Sequence, residues 1–459
     1  MNLDKKLTLD KKNDQNNAFS TSCALINVGH PSQSPDVANL ALFPVAGMPL
    51  LEYQIRIVIE TGIDHIVLWV ENSFSDFSEN NASVLENESG LNFYLVSIVD
   101  KLRREGIQLT LAHTNQEVAA AFSAEQHILL IQEGCLPSPN LIVSLLQISS
   151  PAILTVKDVD SSQNFERIDA SNRWGGMVLI DGDSVQSVLT IPEEWDLFST
   201  LMRQAVQSGY NRIKADTPSG IQKSYQNLVL KITGQENPDS ITKILLQMQT
   251  GEEKSNLFEK HVFPAFESRV IPWLARHKKS GFGLFIATSA LVILALPAAL
   301  TGMTALSVLL LILSGFSGDS CNKLNELQLK AGRKRCTQQI YYGRRIIAGL
   351  SLTLSCYPVS RQIGWGVLPL VFLVIFANIA AGQEENCSKR WATGHKEYYY
   401  LYFEYIIWIM APFSLLSYYN LHCWIGGLWL LSSLSIFSYW KSSQRFKKIN
   451  DSLFFSKSS

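Results

Sequence analysis

The residues that could do chemistry gather in three short stretches, and phosphate handling is the chemistry they suit. Gly29 closes the apolar run Ala24–Gly29 (ALINVG) and is followed by His30-Pro31-Ser32-Gln33. A glycine at the end of a buried strand lets backbone N–H groups approach a phosphate closely. Glu133 stands just past a second apolar run, Ile128–Gln132, and its carboxyl can carry a proton. His30 has the type of a catalytic base, although a lone loop histidine more often faces solvent. The third stretch joins Asp319 and the glycines Gly318 and Gly332 to the cations Lys330, Arg333, Lys334 and Arg335. Those cations fit a plain cytosolic loop of a membrane protein, and an anionic headgroup is the further role they suit.

The first two stretches need a sheet to position them. Leu51–Thr61 has helical periodicity and is stopped by Gly62, and Ile66–Val70 reads as a strand. Strand and helix then alternate through Ile107–Ala112, Gln116–Ala124, Ile128–Gln132 and Pro139–Gln147. Strands follow at Ala152–Val156 and Met177–Ile180, with a helix at Trp195–Ser208. Such alternation predicts right-handed crossovers and a mostly parallel sheet covered by helices. Leu42–Leu51 reads as a turn-rich connector. Residues 231–280 read as a helical linker that ends in the amphipathic run Val262–Leu274, either a connector or a helix lying in a membrane interface.

The third stretch sits among apolar segments. Gly281–Leu300, Thr301–Gly318, Arg345–Val359, Ile363–Ala381, Tyr398–Tyr418 and Leu421–Trp440 predict six spans within residues 281–441. Lys and Arg crowd every second loop, which predicts a multi-pass protein of the inner (cytoplasmic) membrane with both termini cytoplasmic. Residues 1–22 are polar without an apolar core, so a disordered tail is expected there, and residues 442–459 form a cytosolic tail. A net charge of −1 argues against nucleic acid as a partner. The seven cysteines are scattered without a C-x-x-C pair, which fits reduced structural thiols.

Phe43–Gln54 (FPVAGMPLLEYQ), preceded by Ala24–Gly29 and followed by Gly62–Val67 (GIDHIV), resembles the opening of sugar-nucleotide and alcohol-phosphate nucleotidyltransferases. Asp216-Thr217-Pro218 is similar to a late element of that family, so the resemblance covers residues 23–230. A head of this kind before six spans resembles bifunctional inositol-1-phosphate cytidylyltransferase/CDP-alcohol phosphotransferases. The resemblance implies an α/β nucleotidyltransferase-like, GT-A-like head and an all-α membrane bundle. It also implies motif residues that this chain lacks. After Gly29 the second glycine and the arginine of the phosphate loop are missing, Leu40 stands where the family has a lysine, and Glu133 is the carboxylate within Leu130–Leu136, where the resemblance implies a metal-binding aspartate. Ser314, Ser317, Cys336 and Ile340 occupy the metal-binding aspartate positions of the membrane motif, and Asn322 its arginine. Gly318 and Gly332 align, and Asp319 is the carboxylate that remains.

The resemblance therefore implies a non-catalytic or strongly diverged partner in phospholipid or phosphoalcohol metabolism. Its expected partners are membrane lipid and a second copy or a catalytic paralogue. No cofactor follows, with Mg²⁺ entering only through a site of another design. An active transferase moving a phosphoalcohol from a CDP-alcohol to a lipid, and a structural or transport protein, remain as alternatives. Glu404 in the fifth segment is the one clear acid within a span.

Overall fold

The computed structural model describes residues 23–29, 40–70, 94–148, 150–190, 195–217, 227–249, 263–277, 280–329, 346–358, 364–391, 403–417 and 419–456, with a few single positions besides. The chain divides into two compact units, Met1–Glu253 with Leu327–Leu329, and Lys254–Glu326 with Lys330–Ser459.

The first unit is built on a sheet whose inner strands are apolar because both of their faces are covered, while its edge strands are partly exposed. The strands of the unit are β1 (Cys23–Asn27), β2 (Pro44–Val45), β3 (Met48–Pro49), β4 (His65–Trp69), β5 (Gln108–Ala112) and β6 (His127–Ile131). They are followed by β7 (Cys135–Pro137), β8 (Ala152–Lys157), β9 (Asn172–Asp181), β10 (Asn211–Ala215) and β11 (Val229–Lys231). Seven of them form one sheet in the order β10-β8-β9-β6-β1-β4-β5. All neighbours pair in parallel except β9, which runs against both β6 and β8. The mostly parallel sheet read from the alternation is therefore present.

Helices α1 (Leu50–Glu60), α2 (residues 94–104), α3 (Asn115–Ala121), α4 (Pro139–Leu146), α5 (Gly182–Gln186), α6 (Leu197–Gln207) and α7 (Pro238–Gln249) complete this unit. The turn-rich connector is a short β2–β3 hairpin whose tip, Ala46-Gly47, has both φ angles positive (49° and 79°), as a type I′ turn requires. In α1 the buried Glu52 and Arg56 are paired one turn apart. Lys101 donates to Glu52 at 2.6 Å and Arg56 to Glu105 at 2.9 Å, so α1 and α2 are joined by a satisfied charge network. The unit continues past residue 230, where the stretch covered by the resemblance ends. Lys231 closes β11, and α7 buries Ile241, Leu245 and Leu246.

The second unit is helical: α8 (Phe263–Ala275), α9 (Ser280–Leu300), α10 (Thr304–Leu327), α11 (Ile346–Pro358), α12 (Val367–Trp391), α13 (Phe403–Leu416) and α14 (Leu421–Ser456). Its core joins Ala295, Leu311, Leu352, Val371, Met410 and Trp424. Hydroxyls in these helices donate to carbonyls of the preceding turn, Ser314 to Leu311 and Ser414 to Ala411, which lets polar residues sit in apolar surroundings. Thr304 and Ser417 bond across helices at 2.9 Å.

Among the described residues, Gly281–Leu300 and Thr304–Leu327 are the two helices long and apolar enough to cross a membrane. Ile346–Pro358, Val367–Ala377 and Ile406–Leu416 are shorter apolar helices. The six segments read from the sequence thus become two helices of spanning length, three apolar stretches below it, and the long α14. In α14 Trp, Ser and Tyr dilute the apolar residues.

Candidate functional site

After β1 the chain moves to β4 and β5 on one side, then returns to place β6 on the other side of β1. A sheet of this type has its ligand crevice at that switch, beyond the carboxyl ends of the strands. The loops meeting there carry Gly29, after β1, and Glu133, after β6. Two of the residue types singled out in the sequence are therefore brought together, although they lie far apart in the chain.

Gly29 takes a φ of +84°, and an added Cβ would lie 2.0 Å from the Glu133 carboxyl carbon. Its N–H donates to Asn27 Oδ1 at 2.9 Å, an Asx turn closing the end of β1. The phosphate-binding role read for Gly29 thus meets an amide already engaged and a face already filled. Glu133 follows its strand through a tight turn. Gly134 has a φ of +71°, and an added Cβ there would lie 2.5 Å from the carbonyl oxygen of Ile232. Next to it, Cys135 donates its thiol to the Gly175 carbonyl at 3.3 Å. Gly176, at φ +78°, leaves room for that sulfur, since a Cβ would approach it to 2.7 Å.

The electrostatics follow from burial. Desolvation pushes the Glu133 carboxyl up to about 7; Lys231 opposes the shift and Asp196 adds to it. Lys231 extends from β11 and donates to the backbone carbonyl of Glu133 at 2.5 Å. Burial pulls its ammonium below the usual lysine range, and Cys135, Glu133, Glu166 and Asp196 act against that pull. Asp196 caps α6 by accepting from the Phe198 N–H at 3.0 Å, and Glu166 accepts from Ser199 at 2.9 Å. Burial also pushes the Cys135 thiol up to about 12, so it is a structural thiol and no nucleophile. Gln54 of α1 pins the loop from below, donating to the Cys135 carbonyl at 2.8 Å.

This arrangement can hold a proton near neutral pH on Glu133 beside a lysine already tied to the backbone. Lys231, Asn27 and Asp196 were not singled out in the sequence. Only Asn27 left a signal there, an Asx residue two before a glycine at a strand end. Leu40, at the family's lysine position, lies 3.4 Å from where a Cβ on Gly234 would sit. Thr217 of the Asp-Thr-Pro element shares a 2.8 Å hydrogen bond with Ser161.

In the helical unit, Gly318 lies on α10 with ordinary contact to Thr288 of α9, 3.5 Å from an added Cβ. Ser317 accepts from Thr288 at 2.9 Å and donates to the Leu284 carbonyl at 3.3 Å. Cys321 donates to the Gly281 carbonyl at 3.5 Å. Ser317, Gly318 and Cys321 therefore hold α9 against α10. Asp319, on the same helix, is partly buried. Lys330, Gly332, Arg333, Lys334 and Arg335, together with Cys336, Ile340 and His30, lie outside the described residues, as does the Glu404 side chain. Among the described residues no group of three or more His, Cys, Asp or Glu is placed to hold a metal ion.

No protein-family model matches the chain, and no curated protein matches it. Solved structures that resemble it include an inositol-1-phosphate CTP transferase from T. maritima. That match has 12% identity and a TM-score of 0.34, covering 51% of this chain and 98% of the other. A UDP-glucose pyrophosphorylase from Acinetobacter baumannii matches at 12% identity and a TM-score of 0.31, over 53% and 99% of the two chains.

Proposed function

We propose that this chain is a membrane protein of phospholipid or phosphoalcohol metabolism whose nucleotidyltransferase-like head does not perform metal-assisted nucleotidyl transfer. One observation carries the reading. The Glu133 carboxyl covers Gly29 at the switch of the sheet, where a nucleotide's phosphates would need open backbone amides. The glycine that resembles the start of a phosphate loop is spent on internal packing. The helical unit supports the same reading, because Ser317 and Cys321 bind α9 and Ser314 binds its own helix. The membrane half is read as six spans of the inner membrane with both termini cytoplasmic. Its partners are lipid and either a second copy or a catalytic paralogue.

A second reading is an active transferase, favoured by the Glu133 pKa near 7, which suits a general acid or base. The separating test is CMP release by membranes carrying the full chain, supplied with CDP-inositol, CDP-glycerol or CDP-diacylglycerol and candidate acceptors. No release dependent on Mg²⁺ or Mn²⁺ is expected. Clear metal-dependent CMP release abolished by Asp319→Ala, or pyrophosphate release from CTP and inositol-1-phosphate abolished by Glu133→Gln, establishes the active enzyme instead.

A further inference from the structure

Helix α8 ends immediately before α9, and its last turns sort residues by face. Ile271 and Ala275, one turn apart, are buried, at 0% and 2% exposure. Arg269, Trp273, Arg276 and His277 are exposed, and their spacing of four and then three or four places them along one stripe. Trp273 is 59% exposed, a large apolar ring left uncovered within its own unit. His277 lies against it, with ring centroids 5.2 Å apart, and its Nδ1 is 3.3 Å from the Trp273 carbonyl. Lys278 and Lys279 follow in the sequence. Directly afterwards α9 presents exposed Phe282, Phe285, Ile286, Ile293, Leu294 and Leu300 along its length.

The order along the chain is thus a cationic stripe with one exposed tryptophan, then an uncovered apolar helix. Tryptophan prefers the headgroup level of a bilayer, where its ring is half apolar and its N–H is wet. Basic residues beside it attract anionic headgroups electrostatically. We infer that the α8–α9 junction is an interfacial anchor that binds the headgroups of anionic phospholipids through Arg269, Trp273, Arg276 and His277. This rests on the reading of α9 as a membrane span. It goes beyond that reading by assigning a lipid class and a surface. The occupant is a lipid surface because the stripe runs without a break into a helix whose apolar side chains are uncovered.

The experiment uses the full chain in nanodiscs made of phosphatidylcholine alone or of phosphatidylcholine with phosphatidylglycerol. Thermal unfolding is followed with wild type, with Trp273→Ala, and with Arg269→Gln/Arg276→Gln/His277→Gln combined. The wild type is expected to gain several degrees from phosphatidylglycerol. The triple variant should lose most of that gain while melting like wild type in phosphatidylcholine. Trp273→Ala should lower the melting point in both lipids. Equal wild-type melting in the two lipids, or a gain retained in full by the triple variant, overturns the proposal. Should a variant fail to fold, a ten-fold rise in salt on the wild type serves in its place and should abolish the gain. Extraction of the chain from membranes by alkaline carbonate tests the span separately. Extraction there sinks the membrane reading itself, whereas retention without lipid preference sinks only the anchor.

Discussion

The Glu133 carboxyl occupies the space that any side chain on Gly29 would need, with 2.0 Å between its carboxyl carbon and an added Cβ. The two loops that carry them end neighbouring parallel strands, and Cys23–Ile26 of β1 is in register with Ile128–Ile131 of β6. Residues remote in sequence are therefore held together by the most buried part of the sheet, and the pair has consequences for stability, pH response and binding.

Gly29→Ala is expected to destabilise the full chain by about 2–4 kcal/mol. The positive φ contributes roughly 1–2 kcal/mol and the displaced carboxyl the remainder. Because the collision involves Glu133, combining the change with Glu133→Ala should leave only the backbone share. A double-mutant cycle on chemical denaturation measures the coupling. Additive effects of the two changes would show that Glu133 does not rest on Gly29.

The same burial sets a pH dependence. Glu133 ionises near 7 when folded, against about 4.5 for a carboxyl open to water, so the folded chain binds the extra proton between those values. Stability contributed by this group is therefore present at low pH and falls as pH rises from about 4.5 to 7, by at most about 3 kcal/mol. Glu133→Gln keeps the shape without the charge. It should match wild type at pH 5 and exceed it at pH 8 in thermal unfolding. A wild-type advantage at pH 8 would contradict the buried, proton-bearing carboxyl.

The fold around this pair was largely legible in the sequence, and the pair was only partly so. Helix α1 falls at Leu50–Glu60 against an expected Leu51–Thr61, and β6 at His127–Ile131 against Ile128–Gln132, because apolar period and glycine stops act locally. Strand β10 (NRIKA) escaped notice because an edge strand buries one end only. Strand β11 is three residues long and has no period to read. Lys231 and Asp196 reach Glu133 through tertiary placement, which leaves no local trace. Gly29 was legible as a special glycine, but the carboxyl from another strand end that fills its open face was not. In the helical unit the apolar runs were clear. Their lengths as helices were not, since α10 continues through polar Asp319–Glu326 on backbone hydrogen bonds that hydropathy ignores.

Binding of nucleoside triphosphate by the full chain should be weak. The Gly29 N–H is committed to Asn27, and Lys231 to the Glu133 carbonyl. Charge-assisted phosphate contacts contribute about 1.5–3 kcal/mol each, so losing two weakens binding roughly a hundredfold or more. Calorimetry with CTP and Mg²⁺ should give no micromolar dissociation constant. A micromolar value, lost in Glu133→Ala, would show that the carboxyl moves aside and that the crevice is a working nucleotide site.

The helical unit offers the sharpest contrast between two neighbouring positions. Gly318 meets Thr288 at 3.5 Å, an ordinary contact, and its helix favours alanine over glycine by roughly 0.5–1 kcal/mol. Gly318→Ala should therefore leave thermal stability unchanged or slightly raised. Ser314 is fully buried, with its hydroxyl on the Leu311 carbonyl, so Ser314→Asp places a carboxylate among apolar side chains. That change should cost several kcal/mol, on the order of the 2–4 expected for an unpaired buried polar group, or force the acid to stay protonated. If the missing aspartate positions nonetheless preserve a metal-ready geometry, Ser314→Asp combined with Ser317→Asp, Cys336→Asp and Ile340→Asp should melt lower than wild type without metal and recover with Mn²⁺. Recovery absent from the quadruple variant would mean that the bundle has lost the shape as well as the ligands. Gly318→Ala with a stability loss above about 2 kcal/mol, a loss typical of overpacking, would show that α9 and α10 approach more closely than described.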